Sequence, residues 1–230
     1  SLKRIEIPAS VTDMETYIFS GCISLEEVIL PDLETIPQNT FFGCVSLKTI
    51  NIPDSVKYIG VSAFEGCTGL KSLNLPDSLT FIDDYAFRGC ESLEILVVPH
   101  GVTDIGCDAF KDCKSLVGVT LPDSLVVMED FVFNGCTALE SINIPDGVTT
   151  ISDSTFAYCR SLKELVIGQG VTYIGEYAFS DCSTIENVVI PNSVTQMGES
   201  VFAGCSALKS VTIGSGLVEI PKSAFYTCSA

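Results

Sequence analysis

Hydrophobic positions recur along this chain with a period of 23 residues. Each unit opens with Leu or Ile, has Val, Ile or Leu three and five positions later, continues with Pro or Gly, and ends with Phe and Cys three residues apart. The ten Phe/Cys pairs are Phe19/Cys22, Phe41/Cys44, Phe64/Cys67, Phe87/Cys90, Phe110/Cys113, Phe133/Cys136, Phe156/Cys159, Phe179/Cys182, Phe202/Cys205 and Phe225/Cys228. A fixed period of this length predicts a solenoid, in which each unit packs only against its neighbours.

The first part of each unit predicts a short strand. In Ile50-Asn51-Ile52 and its equivalents, the outer two residues should face inward and the middle one outward, because side chains alternate along a strand. Pro ends the strand, because it cannot donate a ladder hydrogen bond. A second short extended piece follows, as in 56–59 and 102–105.

The second part of each unit predicts one or two helical turns that point Phe and Cys inward, since residues i and i+3 share a helical face. Acidic residues before the turn suit a helix N-terminus, and Gly before Cys suits a left-handed helix end. Asp112 and Asp181 tolerate that conformation, whereas Tyr158 and Thr227 fit it poorly and predict a different local ending.

The second unit is one residue short, because Asp32 runs directly into Leu33 and the equivalent of Ser55 is missing. We expect a harmless deletion in a turn. The alternative is a functional notch.

These motifs resemble one family. The string L-x-x-I-x-I-P-x-S-V-T-x-I-G-x-x-A-F-x-G-C-x-S, nearly whole from Leu47 to Gly69 and from Leu162 to Ser183, resembles the BspA-like (Treponema pallidum-type) leucine-rich repeats. The resemblance implies a right-handed leucine-rich repeat superhelix of ten coils, with short parallel strands and short helical turns. It also implies an extracellular or cell-surface protein of the adhesin type, and it brings no catalytic residues.

The net charge of the chain excludes some classes of binding partner, and the repeats at its two ends indicate how the chain is organised. A formal net charge of −17 argues against binding nucleic acid, which requires Lys and Arg at phosphates, and against an anionic membrane surface. No apolar run reaches the roughly 18 residues of a membrane span. The repeats begin and end in phase without polar caps, so we expect a single solenoid over 1–230 that is a piece of a longer protein, monomeric but able to stack end to end.

The cysteines are expected to be free. Ten of the eleven occupy the repeat position, where they should pack as small hydrophobic groups; disulfides between stacked coils are the alternative. Cys107 lies outside the repeat position and should be exposed, but no basic neighbour is placed to lower its pKa. Neither zinc spacing nor a cofactor motif is present.

The remaining polar residues that could take part in catalysis or metal binding are more simply explained as surface residues. His100 is a lone turn histidine, and no nucleophile stands near it in the sequence to complete a triad. Asp32, Asp54 and Asp77 should line up in successive coils as solvated turn caps, with a calcium site as the alternative. We therefore predict no catalytic and no metal-binding residue.

The outward strand positions carry the candidate binding residues. Most are small and polar, but Ile95 and Val97, with Gly118 and Thr120 beside them, predict one apolar patch, and Val166 with Val189 predicts a second. Other parts of the intact protein could cover these residues instead. Tyr58 and Phe81 form a weaker candidate, since they could simply pack on each other. The sequence thus predicts a recognition module for a protein or glycan ligand; the alternative is a rigid spacer.

Overall fold

The computed structural model describes all 230 residues, which wind into parallel coils without any helix. The strands, in chain order, are β1 (Arg4–Glu6), β2 (Glu27–Ile29), β3 (Thr35–Ile36), β4 (Thr49–Asn51), β5 (Tyr58–Ile59), β6 (Phe81–Ile82), β7 (Ile95–Val97), β8 (Asp104–Ile105), β9 (Gly118–Thr120), β10 (Val127–Met128), β11 (Ser141–Asn143), β12 (Thr150–Ile151), β13 (Glu164–Val166), β14 (Tyr173–Ile174), β15 (Asn187–Ile190), β16 (Gln196–Met197) and β17 (Ser210–Ile213). They form a leucine-rich repeat solenoid with two columns of strands.

The first strand column contains the three- and four-residue strands: β1, β2, β4, β7, β9, β11, β13, β15 and β17. Its side chains alternate as predicted, because Leu96 is buried between the exposed Ile95 and Val97. The register is parallel and steps by one repeat, for example Ile95 to Gly118 and Val97 to Thr120. This column therefore presents an open face to solvent.

The first strand column is interrupted in the fourth coil. Its strands pair as β1-β2-β4, then β7-β9-β11-β13, then β15-β17. Residues 72–75, between β4 and β7, form no strand, and Ser72 meets Ile95 only through an isolated bridge. We call residues 72–75 the ladder gap.

The second strand column absorbs the deletion in the second repeat. Its two-residue strands pair as β3-β5-β6-β8-β10 and β12-β14-β16. Glu27 pairs with Thr49, 22 residues later, whereas Thr35 pairs with Tyr58, 23 residues later. The missing residue is thus taken up in the turn between β2 and β3, and the later register is unaffected.

The predicted helical turns are absent. Each coil instead sends three backbone N–H groups to the next coil through a column of tight turns, which we call the turn column. In the third coil, Ser62, Phe64 and Gly66 donate to the carbonyls of Asp84, Ala86 and Arg88 at 2.9, 2.7 and 2.8 Å. The same three bonds recur at all nine junctions between coils, so this ladder has no gap.

Left-handed backbone conformations shape the turn column. Gly66 has φ 73°, as its place before Cys predicts, but Tyr158 (φ 64°) and Thr227 (φ 58°) share this conformation. The expectation of a different ending there was wrong, and the ladder shows why: the N–H of Tyr158 must still reach the carbonyl of Ser180, at 2.8 Å. A second left-handed position, two residues before each Phe, was not predicted. It is occupied by Tyr17, Asn39, Ser62, Tyr85, Asp108, Phe131, Ser154, Tyr177, Ser200 and Ser223.

The acidic residues before each turn also have a different role from the predicted one. With no helix to cap, several carboxylates accept a backbone N–H from the following coil. Asp84 accepts from Cys107 at 2.7 Å, and Asp153 accepts from Glu176 at 2.7 Å. Part of the negative charge therefore links neighbouring coils.

The core is a stack of identical layers. Neighbouring Phe rings of the repeat lie parallel, with centroids 5.1–5.7 Å apart along the whole chain, a spacing typical of favourable aromatic pairs. Met14, Met128 and Met197 are buried in the same core. The inward positions of the repeat are thus those that the hydrophobic pattern predicts.

Candidate functional site

The predicted binding residues lie on the open face of the first strand column. Ile95 and Val97 expose 65% and 57% of their surface, and they pair with Gly118 and Thr120. These four residues, which we call the apolar patch, are adjacent. The buried Leu96 anchors the strand between its two exposed residues.

The second predicted pair is less closely joined. Val166 and Val189 are 58% and 63% exposed, and they lie on β13 and β15 in successive coils. Those two strands belong to different sheets. Val166 and Val189 therefore share a face but are not linked by the strand ladder.

A groove beside the apolar patch was not predicted. It has a volume of about 550 Å³ and is lined by the ladder gap together with Ile52, Asp54, Pro76, Asp77, Ile95, Val97 and Pro99. We call it the strand-face groove. Its size falls within the range of ligand-binding clefts. It lies where the first strand column is interrupted. The sequence of the ladder gap matches that of the equivalent positions in neighbouring coils, so it did not predict the interruption.

A second groove adjoins the first. Its volume is about 650 Å³, and its lining includes Glu26, Lys48 and Lys71 together with Ser46, Ser72 and Ser92. Ser72 lines both grooves. We call this second groove the lysine groove; the two grooves share one wall.

Lys71 differs from the other basic residues of its column. Lys48 pairs with Glu26 at 2.7 Å, Lys163 with Glu140 at 3.3 Å and Lys209 with Glu186 at 2.9 Å, each with a carboxylate of the preceding coil. Lys71 follows Lys48 in that column and forms no ion pair. The residue before it in the column is Lys48 rather than a carboxylate, and Lys71 forms no ion pair with Glu94 of the following coil, so its ammonium group has no partner within the chain.

Cys107 is not a reactive thiol in this structure. It is half-buried rather than exposed, and its Sγ donates to the Asp108 carboxylate at 3.6 Å. Burial, followed by the charge of Asp108, raises the pKa of Cys107 to about 12. Because the thiolate is the nucleophile, this environment disfavours the reactive form of Cys107.

The other polar candidates are dispersed. His100 is exposed in a turn, as are Asp32, Asp54 and Asp77. No three His, Cys, Asp or Glu side chains stand close enough to hold a metal ion.

Tyr58 and Phe81 pack on each other in the second strand column. Their rings stack with centroids 5.6 Å apart, and the Tyr58 hydroxyl donates to Asp83. Burial and the Asp83 hydrogen bond raise the pKa of Tyr58 to about 12. Tyr58 and Phe81 thus pack on each other within the fold, which is the possibility that made them the weaker candidate for binding.

Solved structures with this architecture come from bacterial leucine-rich repeat proteins. A leucine-rich repeat protein from Bacteroides ovatus is 36% identical, with a TM-score of 0.89 over 99% of this chain and 61% of its own. A leucine rich cell surface protein from Faecalibacterium prausnitzii is 31% identical, with a TM-score of 0.71 over 98% of this chain and 73% of its own. The T. pallidum leucine rich repeat protein is 34% identical, with a TM-score of 0.62 over 79% of this chain and 77% of its own.

This chain therefore spans about three fifths of the length of the Bacteroides ovatus protein. No functionally curated protein matches it, and none of its elements is a helix capable of crossing a bilayer. The sequence profile of the BspA type leucine rich repeat region matches residues 1–117 and 103–230, in six copies. Since these matches cover the chain from end to end, it belongs to the BspA-type leucine-rich repeat family.

Proposed function

We propose that this chain is a non-catalytic recognition module that binds a surface protein or glycan through the face of the first strand column. The observation that carries the proposal is the exposure of Ile95 and Val97, at 65% and 57%, on a strand beside a groove of about 550 Å³. Exposed apolar residues that cluster beside a cleft commonly mark interaction sites. The contact residues we propose are Ile95, Val97, Gly118, Thr120, Val166 and Val189.

We place the module at the cell surface or outside the cell. The support is family membership and the similarity to the Faecalibacterium prausnitzii cell surface protein. Continuity of the turn column from the first coil to the last supports treating residues 1–230 as one solenoid.

A rigid spacer is the second candidate function. The unbroken turn column favours it, because a ladder with three bonds at every junction resists bending between coils. A spacer needs no exposed apolar side chains, however, and Ile95, Val97, Val166 and Val189 serve no purpose in it.

A binding screen with a matched control separates the two functions. The chain is tested against immobilised extracellular-matrix proteins, mucin glycans and whole bacteria, alongside the double variant Ile95→Lys, Val97→Lys. The control, Val126→Lys with Val218→Lys, makes the same charge change at exposed valines outside the first strand column. Equal melting temperatures of the three proteins are required for the comparison.

We expect binding by the wild type and the control, and at least a tenfold loss in the Ile95/Val97 variant. Equal binding by all three proteins would move the site off this face. Absence of binding by the wild type to every surface would favour the spacer.

A further inference from the structure

We propose that the strand-face groove binds an extended polypeptide segment with a basic group at one end and an acidic group at the other. The inference rests on the proposed function and narrows its ligand from a protein or glycan to a peptide strand. Three features carry it: the unpaired backbone of the ladder gap, the apolar lining of the groove, and the opposite charges at its two ends.

The ladder gap leaves backbone groups without protein partners. Asn74 and Leu75 take part in no backbone–backbone hydrogen bond, whereas in the next coil Val98 donates to Thr120 at 3.0 Å. Unpaired N–H and C=O groups require partners from solvent or from a ligand. An extended peptide lying in the groove can supply such partners singly. Because coils flank the gap on both sides, it does not add a strand to a sheet edge as in β-augmentation.

The lining of the groove favours a peptide over a sugar. Its apolar members are Ile52, Leu73, Leu75, Ile95 and Val97, with two prolines, and it includes no aromatic ring. Aliphatic side chains pack well against alternate side chains of a bound strand. A glycan site would be expected to offer a ring face for stacking, and this groove has none.

One end of the groove is negative. Asp54 and Asp77 lie in successive coils, are exposed, and accept no side-chain hydrogen bond or ion pair from the chain. Asp146, the equivalent residue in the seventh coil, instead accepts the backbone N–H of Gln169 at 2.6 Å. The two free carboxylates can therefore bind an ammonium or guanidinium group of a ligand.

The other end leads past Ser72 into the lysine groove, where Lys71 has no ion-pair partner and Lys48 is adjacent. Lys71 and Asp77 are six residues apart in the chain, so they are separated by at most roughly 20 Å. An extended ligand of up to about six residues can reach both ends, with its charged groups no more than five or six positions apart.

The test is a selection of displayed random linear nonapeptides on the immobilised chain, with counter-selection on the Ile95→Lys, Val97→Lys variant. We expect enriched sequences with one basic and one acidic residue no more than five or six positions apart and aliphatic residues between them. The enriched peptide is then synthesised with a fluorophore, and its Kd is measured by anisotropy.

Three exposed-site variants decide the assignment. Asp77→Asn and Lys71→Gln should each weaken the peptide roughly tenfold, the effect of one lost charge-assisted contact. Asp123→Asn, at the equivalent position two coils further on and outside the groove, should stay within twofold. Equal binding by Asp77→Asn and Asp123→Asn would overturn the proposal, as would a selection without an enriched extended sequence.

The outcome separates this inference from the proposed function. If the Ile95/Val97 variant loses binding to mucin glycans or whole bacteria while no peptide is enriched, the face recognises a ligand but not an extended peptide. Suppose instead that a peptide is enriched, and that its affinity falls in Asp77→Asn and Lys71→Gln, while the chain binds none of the surfaces in the screen. The peptide inference then stands, and the proposed surface ligand is wrong.

Discussion

The thiol of Cys90 donates a hydrogen bond to the carbonyl oxygen of Phe64 in the preceding coil, with an Sγ–O distance of 3.3 Å. The same oxygen accepts the backbone N–H of Cys67 at 3.1 Å. This arrangement recurs for the thiols of Cys44, Cys67, Cys113, Cys136, Cys159, Cys182, Cys205 and Cys228. The repeat position thus needs a small apolar side chain with one weak donor, and Cys is such a residue.

Replacing Cys90 tests this bond directly. Cys90→Ala removes a buried sulfur and the bond, and should lower the free energy of unfolding by about 1–2 kcal/mol. Cys90→Ser keeps a donor for the Phe64 carbonyl and should be no less stable than the Ala variant. Urea unfolding under reducing conditions measures both. A Ser variant weaker than Ala by 1 kcal/mol or more would argue against the bond, because an unpaired buried hydroxyl carries that cost.

The buried thiols also predict instability in mild alkali. Burial raises the pKa of Cys67, Cys90 and Cys136 well above the ordinary value. An unfolded chain ionises its thiols near about pH 8.5, so the folded state binds more protons above that pH. Each such thiol then removes about 1.4 kcal/mol of stability per pH unit, while its contribution is complete below pH 8.5.

We therefore expect a constant urea midpoint from pH 6.5 to 8 and a steady fall from pH 8.5 to 10. The double variant Cys67→Ala, Cys90→Ala should start lower but fall less steeply, by about 3 kcal/mol per pH unit for the two thiols. Parallel slopes for the variant and the wild type would contradict the burial of these groups as neutral thiols.

The left-handed glycines give a test of backbone strain. Gly89 has φ 70°, and an added Cβ would meet nothing closer than 3.8 Å, so Gly89→Ala introduces strain without a clash. We expect a loss of about 1 kcal/mol. Gly118, which has ordinary φ and open space around its Cα, supplies the control: Gly118→Ala should be neutral or slightly stabilising. Thermal unfolding measures both variants. Equal changes in melting temperature for Gly89→Ala and Gly118→Ala would refute the strain at position 89.

The buried Asp108 forms an ion pair with the partly exposed Lys111, and the contribution of this pair can be measured. Lys111 Nζ lies 2.7 Å from Asp108 Oδ1 and 4.7 Å from the centroid of the Phe131 ring. Removing the cation leaves the buried carboxylate without its ion-pair partner. Because Lys111 is partly exposed, Lys111→Met should cost about 1–2 kcal/mol, less than the loss of a fully buried pair. Asp108→Ser introduces the residue that other coils use at this position, such as Ser62. The double variant should recover at least half of the loss, and purely additive effects in the cycle would exclude coupling.

The sequence was sufficient to predict the coil, because its signals are periodic. Phe and Cys at a fixed interval place the core, and Ile95 and Val97 at middle strand positions indicate the exposed patch. Those inferences depend only on side-chain alternation, which one coil determines for itself.

The missed features depend on contacts between coils. Phe131 and Tyr158 adopt left-handed conformations that their residue types disfavour, because the turn column requires their N–H groups in place. Leu73-Asn74-Leu75 reads like Ile50-Asn51-Ile52, yet only the second triplet contributes to a strand. Whether such a triplet forms a strand depends on how neighbouring coils fit together, so it cannot be predicted from the sequence of a single repeat.

The unbroken turn column has a mechanical consequence. Because each coil is held to the next by the same three backbone bonds of the turn column, all junctions share a minimum resistance to a force along the solenoid axis. The junctions without first-column strand pairing, on either side of the fourth coil and between β13 and β15, should yield first. Each coil that unravels releases about 23 residues, or roughly 80 Å of extended chain, so a chain tethered at a surface under shear would absorb load stepwise.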